Sequence, residues 1–555
     1  MRTIRIIAPI IVASLQWTAG TVLAQDLRWP TLHPFEAAPF NMDLVQEDDQ
    51  RRALAGELEL YARTLPLSVN SWNDGEWTNE EQERVCRILV RSNGAQAMEL
   101  LLEQVVVPPG ASLRLVQPDG RALSEAMSLA MPDQVEECSS PMVFADEVVI
   151  EYRQPMEAPF EGRFAINGLV HAYRYVNDML REGPCHVNVE CEPESNGWED
   201  VIRSTVRISV VVPEGNGWCT GTLVNNVRQD CAPYILTAYH CGRTSTTAQF
   251  NQYKFYFNFQ YANCSGGAYS TNQFLTGAQR KAYSDDYVIQ YQGLGGSDFM
   301  LLRTNTEVPD AYQAYWSGWD ATNVASVSAD GVCIHHPTGA PKRISTYTQT
   351  LTTGHPMTSS GLMSHYKAKW AATQNGHGVT EYGSSGGGLF KPHVSAGPVL
   401  IGTLTGSSTG MTCTNNTGTA YFGKMSYHWT NNPNSTALKL KPWLDPDGTG
   451  TLLLSGSPQP CSLVAAVAEL ERTASLVIAP NPTAHEVRLE WAGTQNDTFE
   501  TKLFDATGRE VYSSTTKSLS SNAQVLDVSF LSDGFYSLLI LQGEQRYAGR
   551  LVVVH

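Results

Sequence analysis

The stretch GVTEYGSSGGGLF, residues 378–390, places two serines in a glycine-rich run. A serine hydroxyl is a weak nucleophile near neutral pH. It attacks a carbonyl only when a base takes its proton and a third group orients that base. Two other segments supply those groups. ILTAYHC sets His240 directly after an apolar run and beside Cys241, and GGSDFMLLR opens another apolar run with Asp298. In this reading Ser385 attacks, His240 takes the proton and returns it to the leaving group, and Asp298 holds the imidazole tautomer and stabilises its cation. Gly383 and Ser385 would then offer backbone N–H groups to the developing oxyanion from a cramped turn. Without His240 and Asp298 the same run would read as a spacer.

The elements that must position these residues are strands. Glycine and proline are plentiful (45 and 29), charged residues make up only 17%, and short runs such as VRISVVV, YKFYFNFQY and VLIGTL alternate with Gly/Asn/Ser/Thr turns. That rhythm predicts an all-β protein. At 555 residues the chain exceeds one ordinary core. Residues 1–24 read as a signal peptide, with Arg2 and Arg5 before an apolar run that ends in Val22-Leu23-Ala24. Residues 25–181 read as a mostly β propeptide with one early helix around EDDQRRALAGELELYART and a processing site near Arg181 in LREGPC. A substrate-binding domain is the other reading of that segment. Residues 182–456 form the catalytic domain, 457–473 a linker, and 474–555 a small C-terminal β-sandwich.

A formal net charge of -17 argues against a nucleic-acid partner, which needs a concentrated Lys/Arg surface. No further stretch approaches the roughly 20 apolar residues of a spanning helix, so no transmembrane segment is expected in the mature protein. Export makes the eleven cysteines disulfide candidates, and eight of them lie between 185 and 413. No CxxC pair occurs and the H-E-x-x-H pattern is missing, so neither a metal nor another cofactor is expected, and His335-His336 read as structural.

Gly383-Ser384-Ser385-Gly386-Gly387 satisfies both the G-x-S-G-G of trypsin-like proteases and the G-x-S-x-G of α/β-hydrolases. The order His, acid, Ser separates them and disfavours an α/β-hydrolase esterase. Taken with CTGTLVNN, YILTAYHCG, SDFMLLR, AYWSGWD, IHHP, VTEYGSSGG and PWLDP, residues 183–455 resemble the secreted bacterial lysyl endopeptidases. The resemblance implies a two-barrel chymotrypsin-like fold, polypeptide substrates, and the disulfides Cys185–Cys413, Cys191–Cys264 and Cys219–Cys241. Cys231 and Cys333 are left as an expected fourth pair. Ser384 stands where vertebrate-type trypsins carry the Asp that receives the new N-terminus on activation, so that switch is absent.

The substrate pocket departs from the lysyl pattern. The specificity-giving Asp of that family aligns with Ala420, its preceding His with Thr405, and the other usual pocket position is Val379. A buried ammonium needs a carboxylate partner, so an uncharged pocket and a P1 preference that is not strictly Lys are expected. Glu381, shared with the family, leaves room for a basic residue, and a glutamyl pocket built on Thr and Ser hydroxyls lacks its usual His. In the tail, IAPNPT, FDATGREV and DGFYSLLI resemble the type A sorting domain of the type IX secretion system. That implies contact with the secretion machinery and a secreted or surface-attached protein. The rival of another class is a binding or adhesion protein on a protease-like scaffold, a reading that intact His240, Asp298 and Ser385 oppose.

Overall fold

The computed structural model describes residues 29, 32–55, 57–124, 135–174, 183–284, 296–322, 328–355, 363–408, 411–432, 434–458, 476–491, 498–505, 510–517, 523–542 and 545–555. The expected signal peptide, Arg181, most of the expected linker and Cys461 lie outside them. The protein is all-β, as its turn-rich composition predicts.

In the central segment the hairpin Thr205–Val212/Gly215–Val224 begins a first barrel. It continues through Tyr234–Thr237, Met300–Thr304 and Ala278–Tyr283 on one side, and through Lys254–Tyr256 and Phe274–Thr276 on the other. Val206, Ile208 and Val210, at the strand period of two, point into its core with Ile235, Phe255 and Leu302. The second barrel joins Gly331–His335, Arg343–Tyr347, Gly388–Lys391, Val399–Ser407, Ala420–Lys424, His365–Ala368 and Thr352–Gly354 around Cys333, Tyr347, Leu389, Leu404 and Phe422. A further apolar cluster containing Phe299, Leu301, Trp319, Leu400 and Trp429 ties the barrels together, with the buried Trp319 indole donating to the Asn225 carbonyl at 2.8 Å.

The structure pairs Cys185 with Cys413, Cys191 with Cys264, and Cys219 with Cys241. Each such bridge contributes roughly 2–4 kcal/mol. The expected Cys231–Cys333 pair is wrong. Cys231 is disulfide-bonded, whereas Cys333 is a buried free thiol. The reason is placement: Cys333 points into the second barrel's core, while Cys231 packs with the first.

The N-terminal segment is a two-sheet sandwich around Ile88, Val90, Leu100, Leu102, Ile150 and Phe164. Its helix covers Met42–Ala55, short of the expected extent, and LYARTL is the strand Leu60–Leu65. The helical pattern loses there because this strand has ladder partners on both sides. Arg163–Ala172 pairs with one edge and Gly215–Gly217 of the first barrel with the other. Among the described residues one continuous sheet of twelve strands therefore spans the N-terminal segment and the first barrel. At the other end of the chain, sheets of three and four strands face each other over Leu489, Trp491, Leu503, Leu538 and Leu551. Strict alternation in EVRLEW marks one face of this sandwich.

Candidate active site

His240 sits in a single 3-10 turn, Tyr239–Cys241, just past the strand Tyr234–Thr237. The Cys219–Cys241 disulfide fastens that turn to the neighbouring strand. Asp298 lies at the entry to the strand Met300–Thr304, in a left-handed backbone conformation (φ 50°) that Asp tolerates better than most residues. Its side chain is fully buried, and Oδ1 accepts the His240 backbone N–H at 2.9 Å. Oδ2 lies 2.7 Å from His240 Nδ1, and Nε2 lies 2.9 Å from Ser385 Oγ. Three residues spread over 145 positions thus meet in one hydrogen-bonded chain. Ser385 is partly exposed, so a carbonyl can reach its hydroxyl.

The turn carrying Ser385 is shaped by Gly383, whose φ is 81°. A Cβ there would stand 2.7 Å from the His336 carbonyl and 2.8 Å from the Gly339 nitrogen, so only glycine fits. The Tyr382 carbonyl accepts from Thr338 N–H at 2.5 Å and the Ser384 carbonyl from Gly387 N–H at 2.9 Å. In a trans peptide the N–H points opposite to its carbonyl. The Gly383 and Ser385 N–H groups therefore turn away from those contacts and outward from the turn. Thr220 braces the other side, donating Oγ1 to the Gly383 carbonyl and N–H to the Ser385 carbonyl, both at 2.8 Å.

Ser384 is occupied in a way the sequence does not disclose. Its Oγ accepts the Glu381 N–H at 3.1 Å and lies 2.7 Å from His335 Nδ1, while His335 Nε2 lies 3.0 Å from Ser345 Oγ. Burial, with His186 nearby, pushes the His335 pKa well below its ordinary value, so the ring stays neutral and can donate at one nitrogen and accept at the other. His335 is a strut beneath the turn that carries Ser385. His336 is likewise buried, with Nδ1 donating to the Ala340 carbonyl at 2.9 Å.

Of the expected pocket residues, Val379 and Ala420 are fully buried in the second barrel's apolar cluster. The Thr405 hydroxyl is 3.0 Å from His365 Nε2. Beside them Thr380 Oγ1 and Ser407 Oγ share a hydrogen bond of 2.7 Å. The Glu381 carboxylate is 3.0 Å from His186 Nε2. Sequence reasoning missed His365, Thr380 and Ser407. His365 arrives by strand pairing, opposite Gly423, and SHYKAK has no motif spacing that would announce it. Cys185, His186 and Cys413 stand close enough to share an ion, but the two sulfurs are bonded to each other.

Residues 180–423 match the family model of the lysyl endopeptidase C-terminal domain, and residues 477–554 that of a secretion system C-terminal sorting domain. The lysyl endopeptidase of Pseudomonas aeruginosa is 27% identical over 268 residues, covering 45% of this chain and 53% of that protein. The match thus spans about half the length of that relative. Similar solved structures include the thermostable serine protease AL20 from an extremophilic microorganism, at 16% identity and a TM-score of 0.28, covering 40% of this chain and 91% of that one. Protease Anisep from Arthrobacter nicotinovorans follows at 15% and 0.29, with 41% and 91% covered. The sorting domain assigns the protein to type IX export and hence to the outside of the cell, secreted or held at its surface. Among the described residues no helix is long and apolar enough to cross a membrane. The chain thus carries one segment similar to the lysyl endopeptidase C-terminal domain and, after it, one similar to a secretion system C-terminal sorting domain.

Proposed function

We propose that the protein is a secreted serine endopeptidase that cleaves polypeptides through an acyl-enzyme formed on Ser385. The observation that carries this reading is the unbroken chain from Asp298 through His240 to Ser385, at 2.7 and 2.9 Å. His240 Nε2 accepts the hydroxyl proton as Ser385 Oγ attacks, Asp298 stabilises the imidazolium, and the Gly383 and Ser385 N–H groups take the oxyanion. The proton then passes to the leaving amine, and water repeats the sequence to free the acid. Residues 25–181 are a prosegment whose removal leaves a new N-terminus near Gly183, and residues 474–555 engage the secretion machinery.

The primary pocket is uncharged. At the expected pocket positions Val379 and Ala420 are apolar and buried, Thr380, Thr405 and Ser407 carry hydroxyls, and the Glu381 carboxylate faces His186 instead of an incoming ammonium. P1 residues without a positive charge are therefore accepted, and cleavage is not confined to Lys. The test is fluorophosphonate labelling of the secreted protein, followed by profiling of a peptide library. Labelling that disappears in Ser385→Ala supports the nucleophile. Absent labelling, or labelling indifferent to that change, refutes it, and exclusive cleavage after Lys refutes the pocket assignment.

A further inference from the structure

Asp298 and Ser385 come from different barrels. Asp298 stands at the entry to Met300–Thr304 of the first, and Ser385 shortly precedes Gly388–Lys391 of the second. Their relative placement therefore depends on what ties the two barrels together at this level. The imidazole of His428 lies at that seam. It is carried by the helical turn Tyr427–Asn431, just past the strand Ala420–Lys424, and is fully buried. Its backbone is itself fixed, with the His428 carbonyl accepting the Leu440 N–H at 3.0 Å. The mechanism gives this ring no task.

Both nitrogens of His428 are engaged. Nδ1 lies 2.9 Å from Ser297 Oγ and Nε2 lies 3.0 Å from Thr403 Oγ1, and both of these residues are fully buried. Burial lowers the His428 pKa to about 3, so the ring is neutral. One nitrogen donates and the other accepts, and a hydroxyl can answer either. The ring also packs against Phe299, with centroids 4.7 Å apart. His428 thus holds the residues on both sides of Asp298, whose φ of 50° persists only where the surroundings impose it. On the other flank Thr403 pairs with Gly388, and its neighbour Leu404 is laced to the turn carrying Ser385. The Gly386 N–H donates to the Leu404 carbonyl at 2.8 Å and the Leu404 N–H to the Gly387 carbonyl at 2.9 Å. Gly423, opposite Thr403, permits the close approach: a Cβ there would overlap the Ser297 carbonyl and stand 2.7 Å from the His428 ring.

We infer that His428 is a positioning residue: by clamping Ser297 and Phe299 to Thr403, it fixes the Asp298 carboxylate where it can orient His240 toward Ser385. This rests on the serine endopeptidase reading. His428 meets no reacting atom and passes no proton; it acts through Asp298. Misplacing a catalytic group by about 1 Å costs up to roughly a hundredfold in rate. Loss of the Ser297 tether, with the Phe299 contact kept, should cost about tenfold in kcat. KM should stay within about twofold, because the fully buried Asp298 side chain offers substrate no contact.

The test measures kcat and KM of the secreted protein with a chromogenic ester. Ser297→Ala removes the hydrogen bond without emptying the core and should show the tenfold fall in kcat. His428→Leu, which makes neither bond, should fall at least as far. His428→Asn can reach Ser297 from the place of Nδ1 and should recover most of the loss, whereas His428→Gln reaches only Thr403 and should not. The decisive readout is the double variant Ser297→Ala/Asp298→Asn. With the carboxylate gone there is nothing left to position, so it should lie within about twofold of Asp298→Asn alone. A general structural role would instead repeat the tenfold fall in that background. Such a repeat, a Ser297→Ala protein within twofold of the parent, or better recovery by His428→Gln than by His428→Asn would overturn the inference while leaving the triad standing. Failure of the parent protein to label with a fluorophosphonate at Ser385 would remove the endopeptidase reading and this inference with it.

Discussion

Asp298→Asn is the most informative substitution, because both oxygens of this carboxylate have defined tasks. Oδ1 accepts the His240 backbone N–H at 2.9 Å and Oδ2 lies 2.7 Å from Nδ1 of the same residue. An asparagine can satisfy only one of these. With its carbonyl on the backbone N–H, its amide donates to Nδ1, which forces the proton onto Nε2. Nε2 then has no lone pair with which to accept the Ser385 proton. The flipped amide restores the tautomer but sets two donors against each other in a fully buried site, at a cost of about 1–3 kcal/mol. That alone leaves roughly one molecule in six to one in 160 competent. The lost carboxylate charge also ceases to stabilise the imidazolium. Together these predict a fall in kcat on the order of 10⁴ with KM little changed. Stopped-flow acylation with a chromogenic ester, alongside circular dichroism to establish that the fold persists, is the appropriate assay. A folded variant within tenfold of the parent would refute the roles given to Asp298 and His240.

Two further expectations follow from the same geometry. Gly383→Ala places a methyl group against the His336 carbonyl and the Gly339 nitrogen in a left-handed turn, so the oxyanion donors shift and kcat should fall by about 10²–10³; activity within a factor of three would remove Gly383 from that role. Acid should destabilise the protein well before its carboxylates titrate. Burial lowers the His428 pKa to about 3 and pushes His335, His336 and His365 well below their ordinary values. Between pH 6.5 and about 3 the unfolded chain binds protons that the folded chain refuses, so stability is full above 6.5 and is lost as pH falls through that window. His428 alone accounts for about 2 kcal/mol at pH 5. Melting of the Ser385→Ala protein, which avoids autolysis, should show a lower Tm at pH 5 than at pH 7.5, and an equal or higher one would contradict the assignment of these rings as neutral.

Much of this was legible in one dimension. Strand runs and turn residues announced the all-β class, and the C-terminal sandwich followed from alternation such as EVRLEW. That a serine needs a base and an orienting acid singled out His240, Asp298 and Ser385 as a group, and the structure brings these three within hydrogen-bond reach of one another. Short-range patterns encode period and turn geometry, and these survive in the linear string.

Apart from the three disulfides, which were expected only through the family resemblance, the string did not carry what pairing across the fold decides. LYARTL reads as the end of a helix until two strand edges, one from each side, make it the link between the N-terminal segment and the first barrel. Cys333 looked like the partner of Cys231 until the second barrel turned its thiol into a core. Ser384 and His335 are 49 residues apart and His365 and Thr405 are 40 apart, yet each pair meets at hydrogen-bond distance. Residue type and spacing determined what chemistry the chain can attempt. Register, burial and close backbone approach decided how the turn carrying Ser385 is held and which strand of the first barrel the N-terminal strand pairs with, because these depend on contacts between segments that no local pattern specifies.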